Sequence, residues 1–264
     1  MTDIIIFSGQ SNMQGETESR PIEQPVKNAY EYLMQSDYLE PLNHPVGERL
    51  GYDENHCSKV LLDEAEKKRG SLVPYFCKEY LKKREKVVAI HAALGSTVID
   101  KWQKGTERYA MMIKKINKGI EKVKSIDTIG KIYFIWLQGE SDSITGTTAK
   151  DYYAKLISLK NALKEDVKIE KFGIIKVGYF FCVARWLNHV PFEERKQRDE
   201  AIMGAQEEAV KTDKDFVMLT RITSELSMDK QYISCECDGH YNNKAMKIIG
   251  KEAGLKLSNI ANET

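Results

Sequence analysis

Four short segments of the chain carry polar residues whose types and spacing suit acyl transfer. In chain order they are Ser8–Met13, Ala93–Ser96, Gln138–Asp142 and Asp238–His240. A serine hydroxyl is a weak nucleophile until a base removes its proton, and a histidine held by a carboxylate is the usual base. Ser11, His240 and Asp238 have the side chains for these three roles. The sequence therefore predicts a serine nucleophile with a histidine base and an orienting carboxylate.

The tetrahedral intermediate of such a reaction needs hydrogen-bond donors aimed at its oxyanion. The backbone N–H groups of Ser11 and Gly95 and the side-chain amide of Gln138 are the predicted donors. Removing one such donor typically costs about 2.7–4 kcal/mol of transition-state stabilisation. Glycine suits position 95 because an exposed N–H must approach the substrate closely without a Cβ in the way.

Each of these residues also has a plain structural explanation. Ser11 and Asn12 are common at helix N-caps, Gly95 is of a type found in turns, and Asp238–His240 is typical of a turn before a helix. Because all four segments fall beside predicted strand ends, catalysis is the favoured interpretation of the set.

The elements that must position these residues follow from the hydrophobic pattern. Nearly continuous apolar runs predict strands at Ile4–Phe7, Val87–His91, Lys131–Leu137, Gly173–Phe181 and Phe216–Thr220. A 3.6-residue period predicts helices over Leu72–Leu81, Tyr109–Val123, Tyr152–Leu163, Glu194–Val210 and Asn243–Leu257. Alternating apolar strands and helices predict an α/β fold with a parallel sheet covered on both faces. Ligands bind beyond the carboxyl ends of such strands.

The chain has 264 residues and no internal repeat or Gly/Ser linker, so we expect one domain over 1–264. Residues 16–70 are too long for a featureless connection and are expected to form an ordered insertion near the working face.

Composition excludes several classes of protein. Lysine plus arginine number 40 and aspartate plus glutamate 39, which argues against a nucleic-acid partner. No apolar run approaches the ~20 residues of a membrane span. Five cysteines cannot all pair, and the first strand is preceded by no basic region or cleavage site. We therefore expect a cytoplasmic protein with no membrane association.

A zinc site is the competing interpretation of Cys235, Cys237 and His240. A structural zinc site needs four ligands, and no second CxxC or HxxxH pair is present in the sequence. We expect no metal.

The four segments resemble the sequence blocks of the SGNH hydrolase superfamily, in the order of that family and over nearly the whole chain. The match is to its sialate O-acetylesterase-like and acetylxylan esterase-like carbohydrate esterases. It rests on the Gly-Gln-Ser-Asn-Met of Ser8–Met13, the Gly95 loop ending in Trp102, Trp136–Asp142 and the terminal Asp/His pair. The resemblance implies a three-layer α/β/α sandwich around a five-stranded, flavodoxin-like parallel sheet. It also implies removal of O-acetyl groups from carbohydrates without a metal or other cofactor.

Residue by residue, the resemblance implies that Ser11 is the nucleophile and that Gly95 and Gln138 serve the oxyanion hole. It implies that Asp238 and His240 complete the triad. Much of the superfamily has Asp-x-x-His, whereas this chain has Asp-x-His. The orienting role of Asp238 is therefore open to Glu236, a backbone carbonyl or a water.

Further residues are assigned to substrate binding, with an acetylated carbohydrate as the expected partner. They are Gln10, Asn12, Trp102, Glu140, Arg185 and Trp186. Two other functions stay open. One is a different acyl-transfer role, as in a thioesterase, short-chain lipase or acetyltransferase; the other is a carbohydrate-binding protein without activity.

Overall fold

A computed structural model describes residues 1–48, 69–236 and 238–263. Its strands form one sheet with the order β3-β2-β4-β1-β5-β6-β7. The strands are β1 (Thr2–Gly9), β2 (Ala29–Leu33), β3 (Tyr38–Pro41), β4 (Val87–His91), β5 (Ile129–Leu137), β6 (Lys171–Ile175) and β7 (Phe216–Thr220). All neighbouring strands pair in parallel except β2 and β3, which are antiparallel.

The predicted α/β fold with a parallel sheet is confirmed, but the sheet has seven strands instead of five. The five predicted strands are β1, β4, β5, β6 and β7. The other two form a hairpin in the segment expected to be an insertion, and β2 extends the sheet by pairing with β4. Residues 49–68 of that segment lie outside the described residues. The strand predicted over Gly173–Phe181 ends earlier, at Ile175, because a helix begins at Phe180.

Helices cover both faces of the sheet. They are α1 (Ser11–Gln14), α2 (Val73–Tyr80), α3 (Glu107–Lys124), α4 (Glu140–Thr145), α5 (Ala149–Asp166), α6 (Phe180–Val183), α7 (Phe192–Thr212), α8 (Thr223–Met228) and α9 (Asn243–Glu263). The five predicted helices are present as α2, α3, α5, α7 and α9. Among the described residues, no helix combines the length and apolar character that crossing a membrane requires.

Side-chain contacts define the three layers. On one face, Phe7 of β1 packs edge-on against Phe76 of α2, with ring centroids 5.1 Å apart, and α9 packs on α2. On the other face, Trp136 of β5 donates a hydrogen bond to the hydroxyl of Tyr152 in α5, and α7 packs on α5. The periodic apolar stripes of the helices therefore meet the sheet, as their spacing predicts.

Candidate active site

The nucleophile segment begins where β1 leaves the sheet. Gly9 ends the strand with a φ of +139°, and a Cβ there would lie 2.0 Å from the carbonyl oxygen of Leu137. Only glycine allows the chain to turn so close to the neighbouring strand. The turn places Ser11 at the first position of α1, with 5% of its surface exposed.

The structure brings Ser11 and His240 together. His240 Nε2 lies 2.7 Å from Ser11 Oγ, within the range that proton transfer to a base requires. The imidazole packs edge-on against Phe180, with ring centroids 5.2 Å apart. The predicted nucleophile and the predicted base, which come from opposite ends of the chain, are thus in direct contact.

The loop that carries His240 is anchored next to the nucleophile. Asn12 Oδ1 accepts a hydrogen bond from the backbone N–H of Tyr241 at 3.3 Å. Gly239 has a φ of +83°, and a Cβ there would lie 2.9 Å from the ring of Phe180. The neighbours of both predicted catalytic residues are therefore held against each other.

The structure pairs Asp238 with Arg185. Asp238 Oδ2 accepts from the backbone N–H of Arg185 at 2.6 Å, and Oδ1 accepts from Arg185 Nε at 3.0 Å. These contacts fasten the histidine loop to the segment after α6. The role of Asp238 in orienting His240 stays a prediction.

Gly95, the predicted backbone donor to an oxyanion, lies close to Ser11. The position of a Cβ on Gly95 would be 3.5 Å from Ser11 Cβ. Its backbone N–H donates to Gln14 Oε1 at 2.7 Å. The predicted donor is therefore beside the nucleophile, and a side chain of the protein accepts its hydrogen bond.

The side-chain amide of Gln138, predicted to donate to an oxyanion, is hydrogen-bonded to other groups of the protein. Its side chain is completely buried, and Nε2 donates to Asp142 Oδ2 at 2.5 Å and to the carbonyl oxygen of Thr97 at 2.8 Å. Tyr152 Oη donates to Gln138 Oε1 at 3.1 Å. The side-chain amide of Gln138 thus donates its hydrogen bonds to protein groups. Its role in binding an oxyanion stays a prediction.

Three residues assigned to substrate binding are buried, and their role in substrate binding stays a prediction. Gln10, Asn12 and Glu140 are each at most 2% exposed. Gln10 Oε1 accepts from the backbone N–H of Ser141 at 3.1 Å, and Asn12 Nδ2 donates to Glu140 Oε1 at 2.8 Å. These side chains join the nucleophile segment to α4 because their polar atoms face protein partners instead of the solvent.

Burial also shifts the acid–base behaviour of this region. Desolvation raises the pKa of Glu140 to about 7 and outweighs the hydrogen bond from Asn12, which lowers the pKa. Desolvation likewise raises the pKa of Asp199 in α7 to about 6. A cluster of buried carboxyl groups therefore lies behind the nucleophile segment.

The other three residues assigned to substrate binding, Trp102, Arg185 and Trp186, differ in exposure. Trp102 is completely buried, and its ring packs edge-on against that of Trp136, with centroids 5.6 Å apart. Trp186 is 60% exposed, and the side chain of Arg185 is 75% exposed. Their roles in substrate binding stay predictions.

Sequence reasoning missed several residues that shape the site, including Gln14, Phe180, Arg195 and Asp199. Gln14 directly follows the Ser8–Met13 segment. It is three residues from Ser11, a spacing that places two side chains on the same side of a helix and could have identified it. The other three act through contacts between distant segments, for which the sequence offers no local pattern.

The described residues contain no group of three or more His, Cys, Asp or Glu side chains arranged to hold a metal ion. Cys235 is exposed, whereas Cys237 lies outside the described residues, so the zinc alternative is not tested as a whole.

Comparisons with known proteins agree with this architecture. A protein from Arabidopsis thaliana superposes with a TM-score of 0.69 at 17% identity, covering 97% of this chain and 98% of its own. NanS superposes with a TM-score of 0.66 at 13% identity, covering 100% of this chain and 98% of its own. A carbohydrate acetylesterase from Xanthomonas citri superposes with a TM-score of 0.57 at 12% identity, covering 99% of this chain and 57% of its own. At these identities the likeness shows the shared fold.

A search of curated proteins gave no match. Residues 1–251 match the family described as "Carbohydrate esterase, sialic acid-specific acetylesterase". This match spans all four segments that carry the predicted chemistry. The chain therefore belongs to this carbohydrate esterase family and is a carboxylic ester hydrolase.

Proposed function

We propose that the protein is a serine esterase that releases acetate from an O-acetylated carbohydrate. The observation that carries the proposal is the 2.7 Å separation between His240 Nε2 and Ser11 Oγ. Family membership supports the ester bond and the carbohydrate class. A sialic acid or a xylo-oligosaccharide is the proposed type of sugar.

In the proposed mechanism, Ser11 Oγ attacks the acetyl carbonyl carbon while His240 Nε2 takes the hydroxyl proton. The tetrahedral intermediate collapses, the bond to the sugar oxygen breaks, and His240 returns the proton to that oxygen. This leaves an acetyl group on Ser11 and a free sugar hydroxyl. His240 then removes a proton from water, whose oxygen attacks the acetyl carbon. The bond from that carbon to Ser11 Oγ breaks, His240 returns the proton to Ser11 Oγ, and acetate leaves.

The test is acetate release by wild type and Ser11→Ala. The substrates are p-nitrophenyl acetate, p-nitrophenyl butyrate, acetylated xylo-oligosaccharides and 9-O-acetyl sialic acid. We expect Ser11→Ala to lower kcat by about 10⁴- to 10⁶-fold, because a triad acts as a unit. Ser158→Ala, an exposed serine of α5, is the matched control and should stay active.

The outcomes separate the open functions. Acetate release that requires Ser11, with poor butyrate hydrolysis, supports an acetylesterase and identifies its sugar. Good butyrate hydrolysis supports a different acyl-transfer role. Full activity in Ser11→Ala would overturn the serine mechanism, and an inert wild type that binds sugars would indicate a binding protein. A cytoplasmic location stays a proposal, which fractionation of cells that produce the protein would test.

A further inference from the structure

The predicted oxyanion donor already has an acceptor. The backbone N–H of Gly95 donates to Gln14 Oε1 at an N···O distance of 2.7 Å. An oxyanion bound by the same N–H would lie about 2.7–3.1 Å away. The position of a Cβ on Gly95 is 3.3 Å from Gln14 Oε1 and 3.5 Å from Ser11 Cβ. An amide oxygen therefore lies beside the nucleophile, at the distance where the acyl oxygen would be bound.

Local geometry explains how Gln14 reaches this position. Ser11 and Gln14 are the first and last residues of α1, and residues three apart lie on the same side of a helix. Gly15 then ends the helix with a φ of +96°, and a Cβ there would lie 2.5 Å from the carbonyl oxygen of Gly70. The backbone after Gln14 is closely packed, whereas its side chain is only half-buried. We therefore expect Gln14 to leave Gly95 by a change in its side-chain conformation, with the backbone in place.

We propose that Gln14 is a displaceable occupant of the oxyanion site and that the acyl oxygen of the substrate takes its place. The inference rests on the proposed esterase function. One N–H group makes one strong hydrogen bond at a time, so Gln14 and the acyl oxygen compete for Gly95. In the empty enzyme, Gln14 satisfies a backbone donor that would be costly to bury without an acceptor.

Displacement of Gln14 is required both for the bound ester and for the transition state. A neutral ester carbonyl and the neutral amide of Gln14 are similar acceptors. The tetrahedral intermediate carries a full negative charge, and charge-assisted hydrogen bonds are roughly twice as strong as neutral ones. Because Gln14 has to leave Gly95 before either state can form, its displacement costs the bound ester and the transition state the same free energy, which raises KM with little effect on kcat.

A neighbouring ion pair explains why a neutral side chain occupies this position. Glu16 Oε1 lies 3.5 Å from the Cβ position of Gly95 and pairs with Arg69 Nη1 at 3.0 Å. One carboxylate near the site is thus already paired with a cation. A second carboxylate at position 14 would repel the developing oxyanion.

The contact itself is tested by amide hydrogen exchange at Gly95 in the unliganded protein. We expect exchange in Gln14→Ala and Gln14→Leu to be about 2- to 10-fold faster than in wild type, the factor that one net hydrogen bond supplies. The control is Gln197→Ala, an exposed glutamine of α7, which should leave the Gly95 rate unchanged. Equal Gly95 rates in wild type and both Gln14 variants would overturn the proposal.

The predicted effect of Gln14 on KM is tested by steady-state kinetics with p-nitrophenyl acetate. Gln14→Ala and Gln14→Leu should lower KM by about 2- to 10-fold with similar kcat, whereas Gln14→Glu should lower kcat/KM. A purely structural role predicts that all three variants lose activity together. An unchanged or raised KM in the Ala and Leu variants, with thermal unfolding like that of wild type, would contradict displacement.

The experiments distinguish failure of the proposed esterase function from failure of the proposed displacement of Gln14. A wild type that releases no acetate overturns the esterase function and the displacement step with it. Acetate release that requires Ser11, combined with an unchanged Gly95 exchange rate, overturns only the role of Gln14.

Discussion

Ser11 and His240 are 229 positions apart in the chain, yet their side chains are within hydrogen-bond distance. The contact is reinforced one residue further along each segment, where Asn12 accepts from the backbone N–H of Tyr241. Asn12 in turn donates to the buried Glu140. The proposed chemistry of Ser11 and His240 thus depends on neighbouring residues that hold the two segments together.

Glu140 gives the protein a measurable pH dependence of stability. Burial raises its pKa in the folded state to about 7, from an ordinary 4.5. The folded protein holds a proton that the unfolded chain releases, so this contribution to stability is complete below the unfolded pKa. It is lost as the pH rises through the folded pKa. Asp199 shifts in the same direction.

We expect Glu140→Gln to raise the free energy of unfolding at about pH 8 by roughly 2 kcal/mol and to change it little at about pH 5. The glutamine keeps a carbonyl oxygen to accept from Asn12 but cannot ionise. The measurement is denaturant unfolding at both pH values, with the exposed Glu85→Gln as control. A gain of the same size at both pH values would show that the buried charge is not the cause.

Among the elements, α7 holds the short helix α6 at both ends. Asp199 accepts hydrogen bonds from the backbone N–H groups of Phe181 and Cys182. Arg195 Nη1 donates to the carbonyl oxygens of Phe181, Cys182 and Ala184. These side chains satisfy the backbone groups that a helix leaves unpaired at its ends. They thereby fix Phe180, whose ring packs on His240.

Arg195→Met tests this arrangement, because it keeps much of the apolar stem and removes the donors. We expect faster amide exchange over residues 180–184 and a kcat/KM lower by about 10- to 100-fold, since small displacements of a catalytic group are costly. Lys196→Met, in the adjacent half-buried position, is the control and should change neither quantity. Faster exchange with full activity would mean that α6 does not position His240.

For the molecule as a whole, we expect the end of the sheet that carries Ser11 to serve the proposed reaction and the opposite end to serve stability. Near the amino end of β1, the carboxylate of Asp3 accepts from Tyr80 Oη, Arg84 Nε and the backbone N–H of Lys131. Asp3 is 3% exposed. These bonds tie β1 to the end of α2 and to β5, far along the strand from Ser11.

Asp3→Ala should therefore reduce the free energy of unfolding by about 3–5 kcal/mol, because it leaves buried partners of a charge unpaired. The kcat of the protein that remains folded should not change. Asp100→Ala is the matched control, since its ion pair with Lys155 is exposed and such pairs contribute about 1 kcal/mol or less. A parallel fall in kcat for Asp3→Ala would contradict the separation of the two ends.

The extent of the sheet was only partly predictable from the sequence. The central strands are long apolar runs, and burial on both faces requires such runs, so the pattern identifies them directly. The hairpin of β2 and β3 lacks this signal because β3 is a partly exposed edge strand. Its membership of the sheet depends on pairing between β2 and the distant β4.

The sequence by itself determined the fold class, the central strands and the segments that meet at their carboxyl ends. Strand periodicity and chain direction are enough for this, since parallel strands bring the residues that follow them to one edge. Only the tertiary structure decided which partner each side chain has: Gln14 for Gly95, Arg185 for Asp238 and the core for Trp102. Hydrogen-bond partners and burial depend on neighbours from remote segments, and no local pattern of residues specifies those neighbours.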